Sequence, residues 1–348
     1  MTLHTLLHVL AATLSESREP GYASHLAGGV EAMWQVPESP VAILFLAHGC
    51  SHSATDFWPP TPKAPKALGL PEEVRLVRAA LSVRLAVIAI SSSDRDVRCW
   101  DFESDGPRVK DALTAFRAAR SELRGLPLVA MGASSGGAFV LQLPALVPVA
   151  AVVSQIMAIP PHLLPQPMPP TLFVHMPRDR RTASLVHKCV HHLKQQGVAA
   201  DQLEIAPQRP TADFFLQRIV RIDASTARSL HGALQKGGLL DDQGYLSDDP
   251  RRTAWREAVS SQRGLLARLP GPGAGGPPDS LVSDQSAVSE ALNVAWAAHE
   301  IVSDAWEGTL HWLTTNATPA LASVRFAAAA TISPRHTTTV EAATELRA

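Results

Sequence analysis

Apolar positions along the chain fall into two rhythms. Short apolar stretches alternate with stretches in which apolar residues recur every three or four positions. Gly29 to Pro37 (GVEAMWQVP) and Val41 to Ala47 (VAILFLA) read as strands, the second with no polar position at all. Such a run is expected where a strand is covered on both faces, which implies a parallel sheet. Helical spacing then spans Pro71 to Val83, followed by a strand at Leu85 to Ser91, a helix from about Pro107 to Leu123 and a strand at Pro127 to Gly132. The order β-α-β-α-β is that of a doubly wound α/β sheet.

The alternation continues through a small-residue helix at Gly136 to Leu146 and strands at Pro148 to Ile156 and Thr171 to Met176. A helix at Thr182 to Gln196, closed by Gly197, and a strand at Gln202 to Ile205 complete it. The first 28 residues are set apart as an N-terminal segment, and residues 29–209 as the core. From 210 to 269 the rhythm changes to polar helices around Leu230, Leu239, Tyr245 and Trp255, which predicts an insertion or lid carried by the sheet. Residues 270–280 (PGPGAGGPPDS) have the composition of a flexible linker. Residues 281–315 complete the core with a final helix at Ser303 to Leu313, for which Asp304 and Glu307 supply a capping pair. The tail, 316–348, lacks periodicity and is expected to be mobile.

Bulk properties narrow the partners. The 348 residues are 46% hydrophobic and 18% charged, with net charge −1, so neither disorder nor an electrostatic footprint for nucleic acid is visible. No run approaches the ~20 apolar residues that span a bilayer. Met1 to Thr13 has some character of a signal h-region but no basic flank, which leaves a weak case for targeting against a slight preference for the cytoplasm. Three cysteines are too few for a disulfide framework and favour a reducing compartment. A single bridge, Cys50 to Cys99, stays open.

Candidate chemistry centres on Gly132-Ala133-Ser134-Ser135-Gly136, a G-x-S-x-G sequence with a strand before it and a helix after it. A serine hydroxyl is a weak nucleophile and needs a base with a group that orients it. Between Glu122 and Asp179 there is no acidic residue, so Asp179, just beyond a strand, is the first candidate acid, with Asp201 and Glu204 behind it. Among later histidines, His299 lies on the loop before the last helix, while His231 in the insertion competes for the same role. His187 and His191, four apart on a helix, have no carboxylate at matching spacing and are read as a solvated face. His311 and His336 fall in the last helix and the tail.

Ser134, Asp179 and His299, in this order around a strand–turn–helix serine, resemble the α/β-hydrolase family over residues 29–205 and 290–314. The segments HGCSHSATDFW, GASSGGAFV, HMPRD and NVAWAAHE also resemble a plant and algal subgroup of that family without a settled substrate. The resemblance implies a carboxylesterase or lipase-like serine hydrolase that needs no metal or cofactor and takes a small acyl substrate. It also implies an oxyanion hole from the Ser135 and Cys50 N–H groups, with His48 and Gly49 forming the loop that presents Cys50. Two features depart from the family pattern. SSDRDVRCWDF follows Ser91 where a glycine-rich turn is common, and a long gap precedes His299. The competing reading is a binding or receptor protein on the same fold. The sequence leaves the oligomeric state open.

Overall fold

A computed structural model of the chain describes residues 19–271 and 278–317. The expected signal-like segment, most of the tail with His336, and the middle of the Pro/Gly-rich linker lie outside the described residues.

Eight strands form one sheet: β1 Gly21–Leu26, β2 Val30–Gln35, β3 Ala42–Ala47, β4 Leu85–Ile90, β5 Leu128–Ala133, β6 Ala151–Gln155, β7 Thr171–His175 and β8 Ala200–Glu204. Their order across the sheet is β1-β2-β4-β3-β5-β6-β7-β8. β2 runs antiparallel to both β1 and β4, and every pair from β4 to β8 is parallel. β3 (AILFLA), β4 (LAVIAI) and β5 (LVAMGA) are buried at every position, as expected for strands covered on both faces. β1 lies inside the segment expected to precede the fold. Its sequence, GYASHL, has no apolar alternation to announce it, and it is recruited by pairing with β2, where Gly21 fits beneath the Trp34 ring.

Nine α-helices accompany the sheet among the described residues: α1 Pro71–Ser82, α2 Phe102–Ala118, α3 Ser135–Gln142, α4 Arg180–Gln195, α5 Ala212–Arg218, α6 Ala224–Lys236, α7 Trp255–Ser260, α8 Ala287–Trp296 and α9 Trp306–Asn316. α2 begins five residues before the expected Pro107 because Asp101 caps it, accepting from the Ser104 N–H at 3.0 Å. α9 corrects another expectation: its N-cap is Ala305, without a side-chain cap. Asp304 is instead drawn to Arg218, a stronger partner than a backbone N–H.

The apolar core divides into two clusters, one on each face of the sheet. The larger one takes in Leu44, Leu46 and Val129 from the sheet and Leu76 from α1. It continues through Phe215, Leu230, Trp255 and Val259 of the 210–269 segment into Leu292 and Leu310. That segment therefore shares its core with the last two helices. α8, which the sequence pattern did not separate from the loop that follows it, is buried at nine of its ten positions.

Candidate active site

Ser134 sits where β5 gives way to α3, with φ 53° and ψ −120°. Few L-residues adopt this region, and the surrounding packing must impose it. A Cβ on Gly132 would lie 2.2 Å from the Gly136 carbonyl oxygen, and one on Gly136 would lie 2.3 Å from the Ala47 oxygen and 2.4 Å from the His48 oxygen. Only glycine fits either place, so the turn is as tight as the G-x-S-x-G pattern predicts. The Ser134 N–H donates to the Gln155 carbonyl at 3.0 Å, tying the turn to the end of β6.

Asp179 caps α4 just past β7. Its Oδ1 accepts from the Thr182 N–H at 3.1 Å, and its Oδ2 lies 2.8 Å from His299 Nδ1. His299 Nε2 lies 2.8 Å from Ser134 Oγ. Three residues separated along the chain thus form one line of hydrogen bonds at the carboxyl edge of the sheet, where ligands gather in open α/β folds. Burial opposes ionisation of Asp179, but hydrogen bonds from His299 and Thr182 outweigh it and hold its carboxyl below the usual carboxylate range.

The loop carrying His299 is braced from three sides. Gln155 donates from Nε2 to the Val302 carbonyl and accepts from the Val302 N–H, both at 3.0 Å. Glu72 of α1 accepts from the Ser303 N–H at 2.7 Å and from its hydroxyl at 2.6 Å. Arg218 of α5 donates to Glu72 at 2.6 Å and also to Asp304. Arg251, also from the 210–269 segment, donates to the carbonyl of His299 itself. Gln155, Glu72 and Arg218 are all buried, and no local pattern marks them. In a linear reading Glu72 is an ordinary acid at a helix start.

On the other side of Ser134, the loop 48–52 is stitched to the loop 92–100. The buried His48 donates from Nδ1 to the Gly49 carbonyl at 2.6 Å and accepts at Nε2 from the Ser92 N–H at 3.1 Å. That pairing fixes the neutral tautomer, and burial pushes the imidazole down to about 4. Trp100 donates to the His48 carbonyl at 2.9 Å, and the Ser51 N–H to the Val97 carbonyl at 2.9 Å. Cys50 and Cys99 are joined in a disulfide, so the bridge left open by the sequence is formed, and Cys189 is free and buried. The unusual SSDRDVRCWDF segment is the other half of this brace. Among the described residues, neither the Cys50 nor the Ser135 N–H donates to another group.

At the end of this loop, His52 Nδ1 pairs with Asp56 at 3.0 Å. Burial opposes its charge, but Asp56, Glu73 and Glu300 prevail and push it up to about 10. Burial in turn pushes Glu73 up to about 7 and Glu290 well above the carboxylate range. Beyond the His299 loop, an open groove of about 640 Å³ is lined by Arg178, Arg180, Arg252, Asp248, Asp249 and Trp296 among others.

The rival candidates lie apart from Ser134. His231 donates from Nδ1 to the Pro210 carbonyl at 2.9 Å, and His187 packs edge-on to His175. Asp201 pairs with Lys194 and Glu204 with His175. His311 lies within α9.

No family model and no curated protein matches this chain. Solved structures do. A dienelactone hydrolase from Anabaena variabilis shares 17% identity over 55% of this chain and 88% of its own, with a TM-score of 0.41. A CIB-like hydrolase from Thermoplasma acidophilum shares 18% over 51% and 81%, with a TM-score of 0.37. An arylesterase shares 12% over 58% and 82%, with a TM-score of 0.38. Likeness at this level carries no argument of its own. The sheet order, the antiparallel β2 and the tight turn after β5 are those of an α/β-hydrolase fold. Nothing among these comparisons supports the plant and algal subgroup. No helix among the described residues is long and apolar enough to cross a membrane.

Proposed function

We propose that this protein is a serine hydrolase of carboxylic esters or related acyl bonds, with Ser134 as nucleophile, His299 as base and Asp179 as the group that orients the base. The observation that carries this reading is the pair of 2.8 Å contacts running from Ser134 Oγ through His299 to Asp179, with the serine on a strained turn. His299 takes the hydroxyl proton at Nε2 as Ser134 attacks the acyl carbon, and Asp179 stabilises the imidazolium through Nδ1–H. The oxyanion is received by the unengaged N–H groups of Ser135 and Cys50. His299 then returns its proton to the leaving group, and water repeats the sequence on the acyl-enzyme. Apart from that water, every step uses groups of this chain.

The test is labelling with a fluorophosphonate, in which Ser134 Oγ displaces fluoride from phosphorus. Intact mass is expected to gain one adduct on the wild type, none on Ser134→Ala, and adduct on His299→Ala only at a rate lowered by about 10³-fold. Folded wild type that takes no adduct would overturn the reading in favour of a binding protein on the same fold.

A further inference from the structure

We propose that Cys99 is a positioning residue for this reaction: through its disulfide to Cys50 it aims the Cys50 N–H at the oxyanion, so that turnover depends on the oxidised bridge. The inference rests on the reading of Ser134 as nucleophile and of Cys50 as the second oxyanion donor.

The loop that carries Cys50 abuts the serine. A Cβ on the preceding Gly49 would lie 3.6 Å from Ser134 Cβ. The hydrogen bonds that hold this loop attach to its neighbours and leave Cys50 itself untouched. Trp100 holds the His48 carbonyl, Ser51 reaches Val97, and the His52 N–H returns to Gly49 at 3.3 Å. The bond recorded from Cys50 itself is the one to sulfur.

Cys99, by contrast, stands on firm ground. The next residue, Trp100, is buried with its ring centroid 4.4 Å from that of Phe139 and 6.3 Å from that of Phe45. On the near side, the Ser93 N–H is held by Asp105 at 2.7 Å, and Asp94 accepts from the N–H groups of Asp96 and Val97. A rigid loop is therefore tied by one covalent bond to the peptide whose N–H must meet the oxyanion within about 0.5 Å of its ideal position.

Cys50 and Cys99 are both partly exposed, so a small dithiol can reach the bridge. A reductant thiolate attacks one sulfur, and the mixed disulfide is then resolved by the reductant's second thiol. The protein takes up two electrons and two protons as two thiols, and the dithiol leaves as its own disulfide. The Cys50 N–H then loses its anchor and, with it, its aim.

The test compares the wild type before and after dithiothreitol, with Cys99→Ser, and with Cys189→Ser as a control outside the site. The state of the bridge is counted by thiol alkylation and intact mass. Hydrolysis of p-nitrophenyl butyrate gives kcat and KM, and a trifluoromethyl ketone, which binds as the tetrahedral adduct, gives Ki. Reduction is expected to lower kcat about 10- to 100-fold with KM little changed, and to raise Ki by the same factor as kcat/KM falls. Reoxidation restores all three. Cys99→Ser sits at the reduced level with or without reductant, and Cys189→Ser follows the wild type.

The proposal is overturned if the alkylated, reduced enzyme keeps its kcat, or if kcat falls while Ki for the ketone stays put. Because the wild-type measurement is reversible, misfolding of Cys99→Ser does not remove the test. Fluorophosphonate labelling of the oxidised wild type separates the two readings. Adduct without redox sensitivity defeats this inference alone, whereas absence of adduct defeats the hydrolase reading beneath it.

Discussion

Next to His48 and Cys50 the ties are neutral or covalent, an imidazole buried without charge, an indole N–H and a disulfide, with the His52–Asp56 ion pair at the end of the loop. Behind His299 they are ionic, with Glu72, Arg218 and Asp304 sharing one network beneath the loop. Both loops flank the same serine, yet they respond to different insults. A neutral brace is indifferent to the loss of any single charge but yields to acid or reductant. An ionic brace fails when one partner is removed, because the charge left behind keeps its desolvation cost.

The largest effect is expected from the ionic side. Arg218→Met leaves the carboxylate of Glu72, 1% exposed, without its 2.6 Å partner and with Arg75, at 3.6 Å, as the cation that still faces it. Urea unfolding at pH 7 is expected to show a loss of about 3–5 kcal/mol, and fluorophosphonate labelling should slow because Glu72 also holds Ser303. A loss below about 1 kcal/mol would mean that the network is solvated and the contrast with the neutral side is false.

Acid is expected to reach the neutral side first. The unfolded chain takes up a proton on His48 near its ordinary value of about 6.5, whereas in the folded protein burial delays uptake to about 4. In that window the unfolded state binds more protons, so stability falls as pH drops from about 6.5 to 4, by up to about 3 kcal/mol. His52 has the opposite sign. Its folded value, raised to about 10, contributes stability in full below about 6.5 and loses it as pH climbs towards 10. Unfolding measured at pH 4.5, 7 and 9.5 separates the two, and His48→Gln should flatten the acid limb alone. An unchanged acid limb in that variant would assign the effect elsewhere.

The smallest effect is expected from Trp100→Phe, which keeps the ring against Phe139 but removes the N–H held by the His48 carbonyl. The cost should be about 1 kcal/mol in urea, with a several-fold fall in kcat. If kcat does not move, the indole merely fills space.

The parts of the molecule that were legible in the sequence are those written in local patterns. β3, β4 and β5 stand out as unbroken apolar runs, and Ser134 is marked by glycines that nothing else could replace. Asp179 and His299 were reachable because each lies beside a recognisable element. The braces were not. Gln155 meets Val302 across 147 positions, Arg218 meets Glu72 across 146, and Glu72 meets Ser303 across 231. A buried polar residue looks like a surface one until its partner is known. Asp304 was misread for the same reason: a local cap was visible in the sequence and a distant arginine was not. β1 escaped because its sequence carries no alternation and its register is supplied by its neighbour.

Arg218 and Arg251 come from the segment that the sequence marks as added to the core, yet the loop under His299 leans on both. Such a segment is no longer a detachable accessory. Excising residues 210–269 would take away the ground on which the His299 loop stands rather than unroof a pocket. Any engineered minimal version of the fold would first need to replace the contacts that Arg218 and Arg251 make with Glu72, Asp304 and the His299 carbonyl.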